Sequence, residues 1–240
     1  MQVDILAVGV HPDDIELGCG GTLLQHIAQG YTVSLLDLTW GELGSRGSAT
    51  LRRQEALKAA ELLGAKNRYQ LDLADGFFRN TPENMLKIVE VIRLCRPKIV
   101  LCNAINDRHP DHARAAQLVA DACFYSGLVK IETQYQGETQ TAHRPAQVYH
   151  YIQDYQLEPD FVLDISPVMG KKMELILAFG SQFFNENDNP NEPKTPISGQ
   201  DFLESVKAKA RVYGRPAGFE FAEGFNSARY VGVKNLFDLC

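Results

Sequence analysis

The 240-residue sequence lacks any excess of positive charge, since 24 lysines and arginines stand against 30 aspartates and glutamates and give a formal net charge of −6. General binders of nucleic acids or anionic membranes need surplus positive charge to neutralise phosphates, so we expect neither partner. No apolar run approaches the roughly 20 residues that cross a bilayer. The first apolar segment, 3–10, begins without a cationic leader or a small-residue cleavage site, and we therefore expect a cytoplasmic protein.

The sequence also lacks cysteine pairs with the spacing of zinc knuckles or redox motifs. Its five cysteines are Cys19, Cys95, Cys102, Cys123 and Cys240. Their number is odd, and most of them have apolar neighbours. We therefore expect reduced thiols that pack as small hydrophobic side chains.

The N-terminal half of the chain alternates strand-like and helix-like segments. Nearly unbroken apolar runs are typical of strands buried on both sheet faces, and helical spacing with capping residues indicates helices. These patterns predict strands at 4–10, 32–38, 69–73 and 98–103, and helices at 18–28, 50–63, 81–95 and 110–125. This order predicts an α/β fold with a Rossmann-like, mainly parallel sheet and helices on both faces.

The second half of the chain is less regular. Its patterns predict strands at 148–153 and 160–165, helices at 167–179 and 200–213, and loops at 136–147 and 185–199. We expect a single domain, 1–240, in which a smaller extension, 131–240, joins the core, 1–130. The extension is expected to complete the site and to supply oligomer contacts. Loops of this length are often functional, so the 185–199 loop is expected to form a rim or a subunit contact.

Two segments rich in metal-binding residue types follow strands of the predicted sheet. The first, HPDD, spans 11–14, and the second, DRHPDH, spans 107–112. Because the carboxyl ends of parallel strands lie at one edge of a sheet, the fold should bring the two segments together. Imidazole and carboxylate groups are suitable zinc ligands, and a catalytic zinc keeps three protein ligands and an exchangeable water.

These residue types suffice for hydrolysis. His11 and Asp14 can face one ion, and a histidine of the second segment completes the ligand set. One carboxylate then remains as a general base and one histidine as a general acid. Zinc lowers the pKa of its bound water to about 7, so the residues present fit cleavage of an amide or an ester.

Simpler roles exist for each segment by itself. Paired aspartates after a strand can cap the next helix, and a lone HxxH can form a surface turn. Two such segments at adjacent strand ends favour the metal site. Gly18, Gly20 and Gly21 cluster at a helix start, but their spacing differs from GxGxxG and the charged HPDD turn precedes them. Dinucleotide binding is therefore disfavoured.

Four arginines lie in or beside loops that should open onto the same sheet edge: Arg46, Arg52, Arg53 and Arg108. Arginine pairs bidentately with carboxylates and phosphates, which favours an anionic substrate. An ordinary place on a helix surface is the better interpretation for Arg46 and Arg53. For Arg52 and Arg108 the two interpretations carry equal weight.

The motifs together resemble the PIG-L/LmbE family of zinc-dependent N-acetylglucosaminyl deacetylases. They are AVGVHPDDIELGCGGTL at 7–23, LTWGELGSRGSATLRRQEA at 38–56, DRHPDH at 107–112, YHYIQD at 149–154, PDFVLDIS at 159–166, SQF at 181–183, TPIS at 195–198 and AEGF at 222–225. The resemblance covers essentially the whole chain. Within the family, the likeness is to the branch that acts in bacillithiol synthesis.

The resemblance implies a role for each matching residue of the two segments. His11, Asp14 and His112 match the family's zinc ligands. Asp13 matches the general base that activates the attacking water. His109 matches the residue that stabilises the oxyanion or protonates the leaving amine.

Three further roles are implied around this centre. Asp111 would orient a histidine, while Arg52 and Arg108 would hold the substrate's malate carboxylates. The implied reaction is hydrolysis of the N-acetyl group of N-acetylglucosaminyl L-malate, which gives glucosaminyl malate and acetate. The alternatives are deacetylation of another small molecule that contains N-acetylglucosamine, cleavage of a cysteine conjugate by an amidase, and a non-catalytic sugar- or metal-binding module.

The resemblance also implies a cofactor and an assembly. One Zn²⁺ per chain is expected, although nitrogen and oxygen ligands also accept iron, cobalt or manganese. The expected partner is a small amino-sugar conjugate as substrate. A homo-oligomer, trimeric or hexameric, is expected by the same resemblance.

Overall fold

The computed structural model describes residues 2–185 and 191–239. Its strands are β1 (Ile5–Gly9), β2 (Val33–Asp37), β3 (Asn67–Gln70), β4 (Ile99–Cys102), β5 (Gln134–Tyr135), β6 (Glu138–Thr139), β7 (Gln147–Tyr151), β8 (Phe161–Asp164) and β9 (Ala222–Ser227). Its helices are α1 (Asp14–Ala28), α2 (Ala49–Leu63), α3 (Pro82–Cys95), α4 (Pro110–Tyr125), α5 (Met169–Leu177) and α6 (Gln200–Gly214).

A seven-stranded sheet in the order β3-β2-β1-β4-β7-β9-β8 forms the centre of the fold. The first five strands in this order pair in parallel, whereas β9 pairs antiparallel to both β7 and β8. Helices cover both faces, as alternate residues of β1 show. Leu6 and Val8 pack towards α3 and α4, whereas Ile5 and Ala7 pack towards α1. The prediction of a mainly parallel α/β sheet is confirmed.

The C-terminal extension continues the same sheet. β7 pairs with β4, and β9 and β8 complete that edge. The division at residue 130 and the single-domain assignment stay predictions. Among the residues that the structure describes, no helix combines the length and the apolar character that crossing a bilayer requires.

Several predicted bounds differ from the structure. α1 begins at Asp14 rather than at residue 18, because the Asp13 carbonyl already accepts the backbone N–H of Leu17 at 3.0 Å. β3 lies at Asn67–Gln70 rather than at 69–73. The predicted loop 136–147 contains β6, which pairs with β5 in a short hairpin, and the first residue of β7.

The last sheet strand, β9, was not predicted, because its sequence AEGFNS contains glutamate, glycine and asparagine, which are depleted in strands. Of the predicted 185–199 loop, residues 186–190 lie outside the described residues, as does Cys240. Cys19, Cys95, Cys102 and Cys123 are buried free thiols, as expected.

Two glycines of α1, Gly18 and Gly21, serve helix packing. A Cβ at Gly18 would stand 2.1 Å from Cδ2 of Tyr151, which lies on β7. The hydroxyl of Tyr151 donates to the backbone oxygen of Val8 at 3.0 Å, so the ring is held in place. The bare face of α1 thus allows the close approach of β7 to the helix that carries Asp14.

Candidate active site

The fold places the segments 11–14 and 107–112 side by side. β1 ends just before His11, and β4, which pairs directly with β1, precedes the segment 107–112. His109 is the N-cap of α4. The ring centroids of His11 and His109 lie 4.7 Å apart, those of His11 and His112 lie 5.6 Å apart, and those of His109 and His112 lie 5.3 Å apart. The expected meeting at the carboxyl edge of the sheet is what the structure shows.

The side chain of Asp14 lies between His11 and His112. Its Oδ1 is 3.3 Å from Nε2 of His112, and its Oδ2 is 3.6 Å from Nδ1 of His11. All three side chains are buried. The amides of Asn103 and Gln153 donate to the two oxygens of Asp14, at 2.9 and 2.6 Å respectively. The structure therefore brings the three predicted metal ligands together around one carboxylate.

A second carboxylate contacts the far side of each imidazole. Asp75 Oδ1 is 3.0 Å from Nε2 of His11, and Asp107 Oδ2 is 2.6 Å from Nδ1 of His112. Each ring is thus oriented so that its other nitrogen faces Asp14. Carboxylates that hold the distal nitrogen of a histidine are a common feature of metal sites, because they fix the tautomer and the ring orientation.

Asp111, which was predicted to orient a histidine, lies near His11 and contacts other groups. Its Oδ2 is 3.9 Å from Nε2 of His11 and accepts the backbone N–H of Gly76 at 2.7 Å, while Oδ1 accepts from Arg114 at 2.5 Å. Asp75 is the nearer partner of His11. Among the described residues, two groups of side chains have ligand atoms within 4.8 Å of one another: His11 with His109 and His112, and His11 with Asp75 and Asp111. Asp14 is in neither group.

The charges at this centre are suited to a cation. Burial lowers the pKa of His11, but hydrogen bonds to Asp14 and Asp75 outweigh it and raise the pKa to about 9. Burial also lowers the pKa of His112, but Asp14 and Asp107 outweigh this effect and raise the pKa to about 10. Although burial opposes it, the two imidazoles hold the pKa of Asp14 well below its usual range. A divalent cation can replace the two imidazole protons, because metal binding to such ligands releases protons.

Asp13 lies beside this group but turns towards Arg52. Its Oδ2 accepts from Nη2 of Arg52 at 3.0 Å, and its backbone has a φ of 125°, which is unusual for a residue other than glycine. Burial raises the pKa of the Asp13 carboxyl to about 7, against the opposing effect of the Arg52 charge. The carboxylate therefore lies near the predicted metal ligands and is held by the guanidinium of Arg52.

His109 is half-buried and is set up as a neutral donor. Its Nδ1 accepts the backbone N–H of Asp111 at 3.3 Å, so the neutral ring carries its proton on Nε2. Burial lowers the pKa of His109, and the neighbouring His11 and His112 lower it further. An uncharged imidazole with a free N–H donor can stabilise negative charge that develops on an oxygen.

The arginines have different surroundings. Arg52 is buried and donates to backbone oxygens of Pro12 and Gly41 as well as to Asp13. Within the described part of the chain its Nε has no partner, although the residue lines the cavity. Arg108 is half-exposed and pairs with Asp154. Arg46 donates to the backbone oxygen of Ser181 at 3.0 Å. Arg53 donates to the backbone oxygen of Arg68 at 3.4 Å.

A cavity of about 520 Å³ opens above these residues, which is within the range of roughly 300–1,000 Å³ for small-molecule sites. His11, Asp13, Asp14, His109 and His112 line one part of it. Arg108 and Lys209 also line the cavity. The amine of Lys209 donates to the backbone oxygens of Gln153 and Asp154, and burial lowers its pKa.

Sequence reasoning missed three polar side chains of the site. Asp75 follows β3 at the same sheet edge, so the argument applied to β1 and β4 would have found it. Asp107 was within the quoted motif but had no role. Gln153 follows β7, which was recognised as a strand without attention to its carboxyl end.

This chain is similar in sequence to a known protein family and to individual proteins. The family model for PIG-L, described as GlcNAc-PI de-N-acetylase, matches residues 6–123. A diacetylchitobiose deacetylase of Thermococcus kodakarensis is 31% identical over 230 residues, which is 92% of this chain and 81% of that protein. A 4-oxalmesaconate hydratase of Pseudomonas putida is 30% identical over 196 residues, 75% of this chain and 74% of the relative.

Solved structures share the fold. A conserved protein from Thermus thermophilus superposes with a TM-score of 0.85 at 34% identity, over 96% of this chain and 97% of that chain. An N,N'-diacetylchitobiose deacetylase from Pyrococcus horikoshii superposes with a TM-score of 0.77 at 24% identity, over 99% of this chain and 88% of that chain. At that identity the second likeness concerns the fold alone.

Proposed function

The chain belongs to the PIG-L family, and from this premise we propose that it is a metal-dependent N-deacetylase of conjugates that contain N-acetylglucosamine. One observation carries the proposal. A buried carboxylate, Asp13, lies next to a second carboxylate, Asp14, that is flanked by His11 and His112 in one cavity. Metal-dependent amide hydrolysis needs this combination, because a cation must be bound while a base remains free.

The donor set fits a divalent cation. His11, Asp14 and His112 would hold it, with two nitrogen donors and one carboxylate that are typical of zinc. Asp75 and Asp107 would keep the two imidazoles in the required orientation. We propose Zn²⁺, which when bound polarises a carbonyl group and lowers the pKa of water.

Asp13 is the proposed general base. Its carboxylate accepts a proton from the attacking water, whose oxygen bonds to the carbonyl carbon of the acetamide. Arg52 keeps the carboxylate in place from the opposite side through its 3.0 Å contact. Because Asp13 is outside the proposed ligand set, its proton transfer does not compete with cation binding.

His109 is the proposed stabiliser of the carbonyl oxygen. Its Nε2–H can donate to that oxygen as negative charge develops, since Nδ1 is already an acceptor for the backbone of Asp111. The C–N bond then breaks, the amine nitrogen takes the proton that left the water, and acetate and the free amino sugar are released. Asp111 and Gly76 support this side of the site through their 2.7 Å hydrogen bond.

For the rest of the substrate we propose L-malate, so that the full substrate is N-acetylglucosaminyl L-malate. Of the cationic side chains that line the cavity, Arg108 and Lys209 suit the two carboxylates of malate. The contact between Arg52 and malate stays a prediction. The observed hydrogen bond of Arg52 to Asp13 favours a role in positioning Asp13 instead.

The test is release of free amine by the zinc-loaded protein from three substrates: N-acetylglucosaminyl malate, N-acetylglucosamine and diacetylchitobiose. We expect the malate conjugate to have the highest kcat/KM, by at least about tenfold, as one well-placed ion pair would provide. Equal rates would retain the deacetylase and contradict malate as the preferred group. No release from any of the three, with the metal bound, would contradict the proposed function.

Two lysines of α6 make a matched pair of variants. Lys209→Met removes a cation that lines the cavity, whereas Lys207→Met removes an exposed one that does not. We expect Lys209→Met to raise the KM for the malate conjugate with little effect on N-acetylglucosamine. Lys207→Met should behave as the unmodified protein. The same loss on both substrates with Lys209→Met would contradict a role for this residue in binding malate.

A further inference from the structure

The cavity extends beyond the polar centre into a region with apolar walls. This region follows α1 and lies against α6, and we name it the α6 arm. It is lined by Leu17, Ile152, Ile197, Phe202, Val206 and Tyr213. Four of these side chains are only half-buried although they adjoin a core cluster, so part of their apolar surface faces the cavity: Leu17, Ile197, Phe202 and Val206.

An ion pair also lines the cavity. Lys172 Nζ lies 2.5 Å from Oε1 of Glu223, and both side chains are buried and line the cavity. Gly21, whose N–H donates to Glu223 at 2.9 Å, lies seven residues along α1 from Asp14. Lys172 contacts the backbone of Leu17, three residues from Asp14, so at 1.5 Å per residue the ion pair contacts α1 from about 4 to about 10 Å along the helix from the proposed metal ligand.

This ion pair has no need of a ligand. Lys172 also donates to the backbone oxygen of Leu17 at 2.7 Å. Glu223 accepts the backbone N–H groups of Gly21 and Thr22 at 2.9 and 2.7 Å. Both charges are thus hydrogen-bonded within the protein, and they do not select a charged substituent.

A sugar ring is a poor occupant of the α6 arm. Its hydroxyls would lie against Leu17, Phe202 and Val206, where a buried hydroxyl without a partner is costly. An alkyl or aryl group suits the same walls, since its burial removes apolar surface from water on both sides. The polar part of the cavity suits the acetamide and the sugar, and the α6 arm suits an apolar substituent.

We propose that the α6 arm binds an apolar group of the substrate, so that the site also hydrolyses amides of amino sugars that carry such a group. This inference rests on the proposed function. The apolar group can come from two sources: an N-acyl chain longer than acetyl, or an apolar aglycone. In either case water adds to the amide carbonyl, the C–N bond breaks, and a carboxylic acid and a free amine form.

Two pairs of substrates distinguish these sources with the zinc-loaded protein. N-hexanoylglucosamine is compared with N-acetylglucosamine, and hexyl N-acetylglucosaminide with its methyl counterpart. We expect kcat/KM to rise in one pair by at least about tenfold, since each buried methylene contributes about threefold to fourfold. A rise in the first pair identifies the acyl chain as the occupant, and a rise in the second identifies the aglycone. No rise in either pair would overturn the proposal.

A pair of α6 variants tests the location. Val206→Trp fills the α6 arm, whereas Ala208→Trp adds the same ring at an exposed position that does not line the cavity. We expect Val206→Trp to reduce the ratio of hexyl to short-chain kcat/KM to about one. Ala208→Trp should leave that ratio unchanged. An unchanged ratio in folded Val206→Trp would overturn the placement of the group against α6.

A binding measurement separates failure of the α6 arm from failure of the catalytic proposal. Calorimetric titration of the metal-free, unmodified protein with hexyl and methyl N-acetylglucosaminide needs neither turnover nor a folded Val206→Trp variant. We expect tighter binding of the hexyl compound, by about tenfold, with a negative heat-capacity change. The proposal for the α6 arm would be contradicted if the methyl and hexyl compounds bind equally and N-hexanoylglucosamine is hydrolysed no faster than N-acetylglucosamine. This holds even if the protein hydrolyses acetyl groups. Tighter hexyl binding without any turnover would support the α6 arm and contradict the deacetylase.

Discussion

Nη2 of Arg52 donates to Oδ2 of Asp13 across 3.0 Å, and both side chains are buried. The same guanidinium also donates to backbone oxygens of the turn before α1 and of the loop after β2, so the carboxylate is fixed to two loops at once. Arg52 therefore positions the base of the proposed reaction, whereas the sequence resemblance had implied that it binds the malate of the substrate.

The Asp13–Arg52 contact predicts how Arg52→Lys behaves. Lysine cannot reproduce the three directed hydrogen bonds, so the Asp13 carboxylate should shift, and small misplacements of a reacting group can cost about 10²-fold in rate. We expect kcat to fall by about that factor on N-acetylglucosamine and on its malate conjugate alike. Steady-state kinetics on both substrates provide the measurement. A loss confined to the KM of the malate conjugate would instead show that Arg52 binds malate.

The contact between Asp75 and His11 predicts an effect on metal affinity. Asp75→Asn removes the carboxylate that lies 3.0 Å from Nε2 of His11, and loss of such a partner typically costs about 10–100-fold in affinity. Asp72→Asn is the matched control, because Asp72 is exposed in the same connection and pairs with Lys87. Competition with a chromogenic chelator measures both. Equal zinc affinity in the two variants would show that Asp75 does not orient the ligand.

The sequence predicted, for a physical reason, that the segments 11–14 and 107–112 lie close together, and the structure shows this. His11, Asp14 and His112 follow or begin elements whose apolar patterns are strong, so topology alone placed them at one edge of the sheet. Asp75 was missed because the argument from strand ends was applied to β1 and β4 but not to β3, which is short and only partly buried. β9 was missed because a charged residue, Glu223, is not expected in a buried strand. Its partner in the ion pair, Lys172, lies 51 residues earlier and could not be paired with it from the sequence.

The fit between Gly18 and Tyr151 predicts opposite effects for two similar substitutions. Gly18→Ala places a Cβ 2.1 Å from Cδ2 of Tyr151, so we expect a loss of about 1–3 kcal/mol in the free energy of unfolding. Gly20→Ala meets Leu175 Cδ1 at 3.5 Å, an ordinary contact, and should stabilise α1 by about 0.5–1 kcal/mol. Urea unfolding measures both. Equal changes would indicate that the helix, rather than the contact with β7, determines the choice of glycine.

The network around Asp4 predicts a pH-dependent stability. The Thr32 backbone and side chain and the Lys98 amine lower the pKa of Asp4 from 3.8 to about 2. A depressed folded-state pKa stabilises the protein above the unfolded value, and this contribution is lost as the pH falls through about 2. Asp4→Asn should therefore cost about 1 kcal/mol at neutral pH, after allowance for solvent screening.

Urea unfolding of Asp4→Asn from pH 7 to pH 2 provides the check. The difference from the unmodified protein should be constant above about pH 4 and should shrink below it. Asp72→Asn, which removes an exposed carboxylate paired with Lys87, should show a smaller difference. A difference for Asp4→Asn that does not change with pH would mean that its carboxylate charge contributes no stability.

The most direct measurement compares the unmodified protein with Asp13→Asn, both loaded with zinc, for release of free amine from N-acetylglucosaminyl malate. Asparagine keeps the shape of the side chain and tolerates the φ of 125°, and Asp13 is outside the proposed ligand set. We predict a fall in kcat of about 10²–10⁴-fold with an unchanged zinc content per chain. Turnover at the full rate by zinc-loaded Asp13→Asn would contradict the assignment of Asp13 as the general base and, with it, the account of this site.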